Sequence, residues 1–430
     1  MAWEWGLLVN KKISIGAAIA LIIVFMALTV SVTMVVAMRR FNNNLGDVNQ
    51  RQAMFDYINE IDKLIRQNYV GDISEEELRT ALANGYLSGI GDPYAEYLTA
   101  EEYQKETERL SGSRTGLGLE IAEQEDGSVV ITAVHSGSAA DRAGVEKGDV
   151  ITALDGKAAG YAEILSRLED GTRVLFTVSR GEESNAFELS PSTYTYTSVE
   201  GWTIGTTGYV RIYAFYSNTP AQFSAVMDSL QEKGAQNYVF DLRYNEGGVL
   251  TAAQEVISML LPRGTYATRI ESDATKTELV SEGTYDLEKS SVTLVNGETA
   301  GEAELFAGVL QEFKKTTVVG VATKGRGKIQ EYYSVPSDGS AIKLSTASLS
   351  LLEGGEIEGK GITPDQVVAL SAQEESRFPF LTDEDDPQLK AALSTLQGGT
   401  VTTETEPTAP TDGTTASPTT TEPTTAETAA

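Results

Sequence analysis

Three apolar runs in this chain each lead into a glycine-bearing loop, and those loops hold the residues most suited to chemistry. Tyr238-Val-Phe-Asp-Leu-Arg-Tyr-Asn-Glu-Gly-Gly248 ends in Gly247 and Gly248, where backbone amides can turn toward an oxyanion. Ser291-Val-Thr-Leu-Val-Asn296 passes through Asn296-Gly297 into an apolar-periodic helix beginning near Gly301. Thr316-Thr-Val-Val-Gly320 is followed by the loop Thr323-Lys-Gly-Arg-Gly-Lys-Ile-Gln330, which carries Arg326 and Gln330. The chain has no cysteine, which excludes a thiol nucleophile, a disulfide framework and any cysteine-based metal site. Its only histidine, His135, lies in what reads as a turn after a strand, a poor place for the base of a Ser-His-Asp triad. One histidine and no clustered ligand spacing leave no basis for a zinc site, and no cofactor is expected.

Taken together, the three stretches resemble the core of the C-terminal processing peptidases, also called tail-specific proteases. In that family the stretch at 291 corresponds to Asn-Gly-Gly-Ser-Ala-Ser-Ala-Ser-Glu, the one at 316 to Thr-Phe-Gly-Lys-Gly-x-x-Gln, and the upstream one to Asp-Leu-Arg-x-Asn-x-Gly-Gly. Further segments follow in the family's order: Asp92-Pro-Tyr-Ala-Glu-Tyr-Leu98, Gly359-Lys-Gly-Ile-Thr-Pro-Asp365 and Asp386-Pro-Gln-Leu-Lys-Ala-Ala-Leu393. The likeness spans roughly residues 53 to 395.

The resemblance implies acyl transfer by a serine hydroxyl that a neutral lysine amine activates. Carried over position by position, the serine is Gly301, the lysine is Arg326, and the assisting glutamine is present as Gln330. Glycine has no nucleophile, and a guanidinium with a pKa above about 12 accepts no proton at neutral pH. Both essential roles are therefore empty. Among neighbours, Thr299 lies about 200° around a helix from Gly301 and should point away. Lys324 and Lys328 would share the face of Arg326 in an extended loop, displaced by about 6.6 Å each. The sequence also suggests an ion pair between Arg326 and Glu302 or Glu298.

Residues 111–190 read as a small β-rich module of short strands and glycine turns. Their order resembles a PDZ domain, in which a Gly-Leu-Gly-Leu loop offers amides to a peptide's terminal carboxylate and the peptide adds as a β-strand. The resemblance implies Leu117, Gly118 and Leu119 as the carboxylate loop and protein or peptide C-termini as partners. It implies Ile164, Leu165 and Leu168 as the pocket wall; the alternative is that these residues are only domain core, a reading that for Leu165 stands level with the first.

The elements that must carry these sites are laid out in order. Residues 1–12 form a short N-terminus, and Ile13 to Met38 is a run of 26 residues without charge between Lys11-Lys12 and Arg39-Arg40. At about 1.5 Å per residue that run exceeds a hydrocarbon core of about 30 Å, so a single-pass anchor in the cell membrane is expected. By resemblance the N-terminus is cytoplasmic and the bulk of the chain extracytoplasmic. Residues 39–110 carry amphipathic helical patterns, and the family implies that such a region supports a homodimer. Residues 191–395 alternate strands near Tyr209 to Tyr213, Tyr238 to Leu242, Ser291 to Asn296 and Thr317 to Gly320 with helices near 219–233, 249–261 and 300–314. The fold class is thus α/β, a core of βα units with a β-rich arm near 328–350, plus the PDZ-like module and the helical N-terminal region. Residues 396–430 are a Thr/Pro-rich tail that cannot build a core. A net charge of −29 makes nucleic acid a poor partner.

The reading favoured by these residues is a membrane-anchored peptidase homologue without hydrolytic activity that binds protein C-termini. Two others stay open from sequence: an active endopeptidase with displaced nucleophile and base, and a structural envelope protein.

Overall fold

The computed structural model describes residues 51–398 except 125, 170–171 and 284–286, together with five positions between 25 and 34. Among the described residues no helix is long and apolar enough to cross a membrane. The expected span at 13–38 lies outside the described residues but for those five positions, as do residues 1–12 and the tail from 399. The chain divides into two units, Met1–Leu78 and Arg79–Ala430. In the first, residues 51–68 are helical. A further helix begins at Glu75, where the Ser74 hydroxyl accepts from the Glu77 amide at 3.3 Å.

The second unit is built on a six-stranded sheet. Its strand order is Gln366–Val367, Thr316–Gly320, Ser291–Val295, Asn237–Asp241, Thr207–Ile212 and Val199–Ile204, parallel except for the last pair. All five residues of Ser291–Val295 are buried. A central parallel strand is covered on both faces, which explains why this run reads as continuously apolar and β-branched. On one face, helices Thr219–Glu232, Leu250–Ser258 and Glu302–Glu312 bury Phe223, Val256 and Phe306 in a core shared with a second sheet. On the other, Val239, Val292 and Val319 pack against Leu389 and Ala392 of helix Pro387–Leu396.

The second sheet has five strands, with Glu96–Leu98, Ala341–Leu351, Gly264–Glu271 and Lys276–Ser281 in order and Lys328–Ser334 also pairing with Ala341–Leu351. It contains the β-rich arm expected from sequence. The strands Gly264–Glu271 and Lys276–Ser281 were not foreseen: the alternation of the first is interrupted where the pairing register shifts between Thr265 and Ala267, and the second is mostly exposed, with only Leu279 and Ser281 buried. The PDZ-like module is a separate five-stranded antiparallel sheet around Ile131, Ile151, Phe176 and Val178.

A buried ionic cluster ties the C-terminal helix to the main sheet. Arg243 Nη2 lies 2.6 Å from Asp241 and 2.7 Å from Asp386, and Arg243 Nη1 donates to Gln388 at 3.0 Å. Burial alone would raise the Asp241 carboxyl, but the charge and hydrogen bonds of Arg243 override it and hold it below the usual carboxylate range.

Candidate active site

Adjacent parallel strands deliver the three glycine-bearing loops at their carboxyl ends, where open α/β sheets place their sites. Asn237–Asp241 leads to Gly247 and Gly248, Ser291–Val295 to Gly301, and Thr316–Gly320 to Arg326. Positions far apart in sequence therefore meet. A Cβ added to Gly301 would lie 3.7 Å from Arg326 Nη2 and 3.8 Å from Arg326 Nε. Gly301 has φ 60° and ψ −122°, a conformation that costs an L-residue strain, and it opens helix Glu302–Glu312.

Glu304 ties the Gly301 loop to the loop carrying Arg326. It has no exposed surface, and its carboxylate accepts from the amides of Gly301 at 3.0 Å, Gly325 at 2.7 Å and Arg326 at 2.8 Å, and from the Thr323 hydroxyl. Sequence reasoning gave Glu304 no role. The available signal was a carboxylate standing three residues after a helix start, the position from which it can reach back to the first orphan amides.

The expected ion pair of Arg326 with Glu302 or Glu298 does not form. Glu298 pairs with Lys324 at 2.7 Å, and the Arg326 guanidinium donates instead to the Glu246 carbonyl. Arg326 Nε is buried and has no hydrogen-bond partner among the described residues. The physical reason is that Glu302, already in the helix, points to the opposite loop. Its Oε2 accepts from the Gly248 amide at 2.8 Å. Burial pushes the Glu302 carboxyl above its usual range, against the pull of the Gly248 hydrogen bond and the Arg326 charge.

The two glycines expected to face an oxyanion differ in what their amides do. Gly247 donates to Asn245 Oδ1 at 2.8 Å within its own loop, and Asn245 is anchored in turn to the Ile212 carbonyl. Only Gly248 directs its amide at a group across the cleft, the Glu302 carboxylate. Thr299 is fully buried with its hydroxyl donated to the Leu242 carbonyl at 2.9 Å; it stands ahead of helix Glu302–Glu312, so this bond and not a helical turn sets its direction. Lys328 lies over the Tyr94 ring at 5.9 Å. Gln330 lines the cleft and donates to the Lys328 carbonyl at 2.7 Å. The cleft holds about 270 Å³ and is lined by Gly247, Gly248, Glu302, Arg326 and Gln330, with Arg109, Tyr216, Tyr332 and Lys343 among the walls.

In the PDZ-like module, Gly118 has φ 81° and packs so closely that an added Cβ would lie 2.0 Å from Ser138 Cβ. Its carbonyl accepts from the His135 amide at 2.9 Å, and the Leu117 carbonyl from the Ala140 amide at 3.0 Å. Leu119 begins strand Leu119–Glu123, the end strand of its sheet, with helix Tyr161–Glu169 packed beside it. This leaves one backbone edge of that strand unpaired within the sheet, the geometry that strand addition requires. The three residues expected as pocket wall separate. Ile164 is completely buried in the module's core and Leu168 packs against that core, whereas Leu165 is 37% exposed. Ile164 thus falls on the core side of the two readings that the sequence left open, because it is one position further round the helix than Leu165. His135 is buried against Tyr194 and Tyr196, with Nε2 3.1 Å from Glu120, and lies outside the cleft.

Comparison with known proteins gives a consistent picture. Residues 206–368 match the model of peptidase family S41, and residues 115–190 match that of the PDZ domain. The chain is 29% identical over 350 residues to a "Probable CtpA-like serine protease" of Staphylococcus aureus (strain bovine RF122 / ET3-1), covering 79% of this chain and 70% of the relative. It is 28% identical over 364 residues to one from Staphylococcus epidermidis, covering 82% of this chain and 73% of the relative. Among solved structures, a "Putative S41 protease" from Bacteroides fragilis NCTC 9343 aligns over 72% of this chain and 87% of its own, at 19% identity and a TM-score of 0.51. The photosystem II D1 C-terminal processing protease aligns over 72% of this chain and 86% of its own, at 25% identity and a TM-score of 0.45.

Proposed function

The chain belongs to peptidase family S41 and carries a PDZ domain, and from that premise we propose that it is a hydrolytically silent member of the family that binds the C-terminal ends of other proteins. The observation that carries this reading is the pair Gly301 and Arg326. Where the family motif has a serine hydroxyl, this chain has no side chain, and the group 3.7 Å from that empty position is a guanidinium. Acyl transfer needs a nucleophile to attack the peptide carbonyl and a base to accept its proton. A guanidinium donates and does not accept. A displaced nucleophile gains no support from the neighbours, since the Thr299 hydroxyl is committed to a backbone carbonyl and Lys324 to Glu298.

Peptide binding falls to the PDZ domain, through the loop at Leu117 to Leu119 and the unpaired edge of Leu119–Glu123. In this reading the uncharged run at 13–38 anchors the chain in the cell membrane, with the bulk of it extracytoplasmic. The exposed apolar side chains of Phe55, Ile61, Leu64 and Ile65 support self-association through the N-terminal helices. The test is incubation of the native full chain with an unfolded model protein. Intact substrate after prolonged incubation is the expected result, and cleavage that depends on this chain would refute the reading.

A further inference from the structure

The third departure in this cleft is at position 302. The family motif places alanine directly after its serine, and here that position is Glu302, whose side chain reaches across to the Gly248 amide. An oxyanion site works when a donor lies about 2.7–3.1 Å from the developing charge. Glu302 Oε2, at 2.8 Å from that amide, sits where such an oxygen would sit. The fit is tight, since a Cβ added to Gly247 would lie 2.3 Å from the same oxygen.

The loop offering the amide cannot swing aside to present it elsewhere. Phe215 donates its amide to the Gly247 carbonyl at 3.0 Å and accepts from the Val249 amide at 2.6 Å, clamping the glycine pair from both sides. A Cβ at Gly248 would lie 2.2 Å from the Phe215 carbonyl oxygen, so only glycine fits there. The carboxylate is likewise held, because Glu302 begins a helix whose first turn is fixed by Glu304.

We propose that Glu302 is an internal occupant of the oxyanion position, so that the cleft is blocked by the chain's own carboxylate independently of the missing serine and lysine. This rests on the reading of the cleft as a silent peptidase site. Restoring the serine and lysine alone then leaves the Gly248 amide closed to a substrate's oxyanion.

The test compares full-length variants on an unfolded model protein. Gly301→Ser with Arg326→Lys is expected to stay silent. Adding Glu302→Ala to that pair should raise cleavage at least about 100-fold, the scale on which a single oxyanion donor acts. Adding Glu302→Gln instead keeps an acceptor oxygen on the Gly248 amide and should leave the pair silent. Equal cleavage by the double variant and the Ala triple variant overturns the inference and leaves the silent-site reading intact. A silent Ala triple variant overturns it too. Cleavage by the native chain is the separate failure of the reading itself. A readout free of catalysis is the Gly248 amide proton in chain labelled with 15N-glycine. It should move upfield in Glu302→Ala as the charged acceptor leaves, and an unmoved resonance overturns the inference.

Discussion

Replacing Glu304 with alanine should loosen the whole cleft, and the size of the effect follows from its partners. Its carboxylate satisfies three backbone amides, those of Gly301, Gly325 and Arg326, and the Thr323 hydroxyl. Each buried donor left without an acceptor costs about 1–3 kcal/mol. Water entering the vacated space recovers part of that, so the lower figure applies, and four donors give a loss of about 4 kcal/mol. For a unit as long as Arg79–Ala430, an unfolding entropy of about 2.1 cal/mol/K per residue makes each kcal/mol worth about 1.5 °C of melting temperature, so a fall of roughly 6 °C is expected. Glu304→Gln retains one acceptor oxygen and brings an amide NH₂ against donors, and should lose at least half as much. Thermal unfolding followed by circular dichroism measures both. A fall under about 2 °C for the alanine variant would show that the Gly301 loop and the Thr323–Arg326 loop are held together by something other than this carboxylate.

Two other perturbations test the frame and the binding module. Arg243→Met strands the buried carboxylates of Asp241 and Asp386 and should cost about 3–5 kcal/mol, read as a shifted denaturant midpoint. In the native chain the depressed Asp241 carboxyl contributes stability that is whole above the ordinary carboxylate range, near pH 4, and is lost as pH falls through its lowered folded value. Melting temperature against pH should show that acid limb, and its absence would mean that Asp241 is not held by Arg243. In the PDZ domain, Gly118→Val places a side chain against Ser138, which is fully buried and caps helix Ala139–Ala143. Fluorescence anisotropy of C-terminal peptides with the full chain should show affinity falling at least tenfold, and unchanged affinity would remove this loop from the binding site.

Much of the architecture was legible because it depends on local signals. The apolar runs ending in glycine loops mark strands Asn237–Asp241, Ser291–Val295 and Thr316–Gly320, and a parallel strand buried on both faces must be apolar throughout. Strand Val199–Ile204 escaped notice, since it lies at the sheet edge and has a mixed pattern of exposed and buried residues. The pocket-wall assignment divided for a similar reason. Helical spacing groups Ile164, Leu165 and Leu168, but which side faces the core depends on the sheet packed against the helix.

What this cleft lacks follows from residue identity. No fold can give Gly301 a hydroxyl, make Arg326 a base at neutral pH, or supply a cysteine, because those capacities belong to the residues alone. Tertiary structure alone decided who meets whom. The sequence left Arg326 a choice of Glu298 or Glu302, and the loop geometry gave it the backbone carbonyl of Glu246 instead. The helix that opens at Gly301 turned Glu302 toward Gly248 and Glu304 toward three loop amides, two carboxylates two residues apart with different tasks. Partner choice is a non-local property, set by where distant strands end, and a one-dimensional pattern of charges does not contain it.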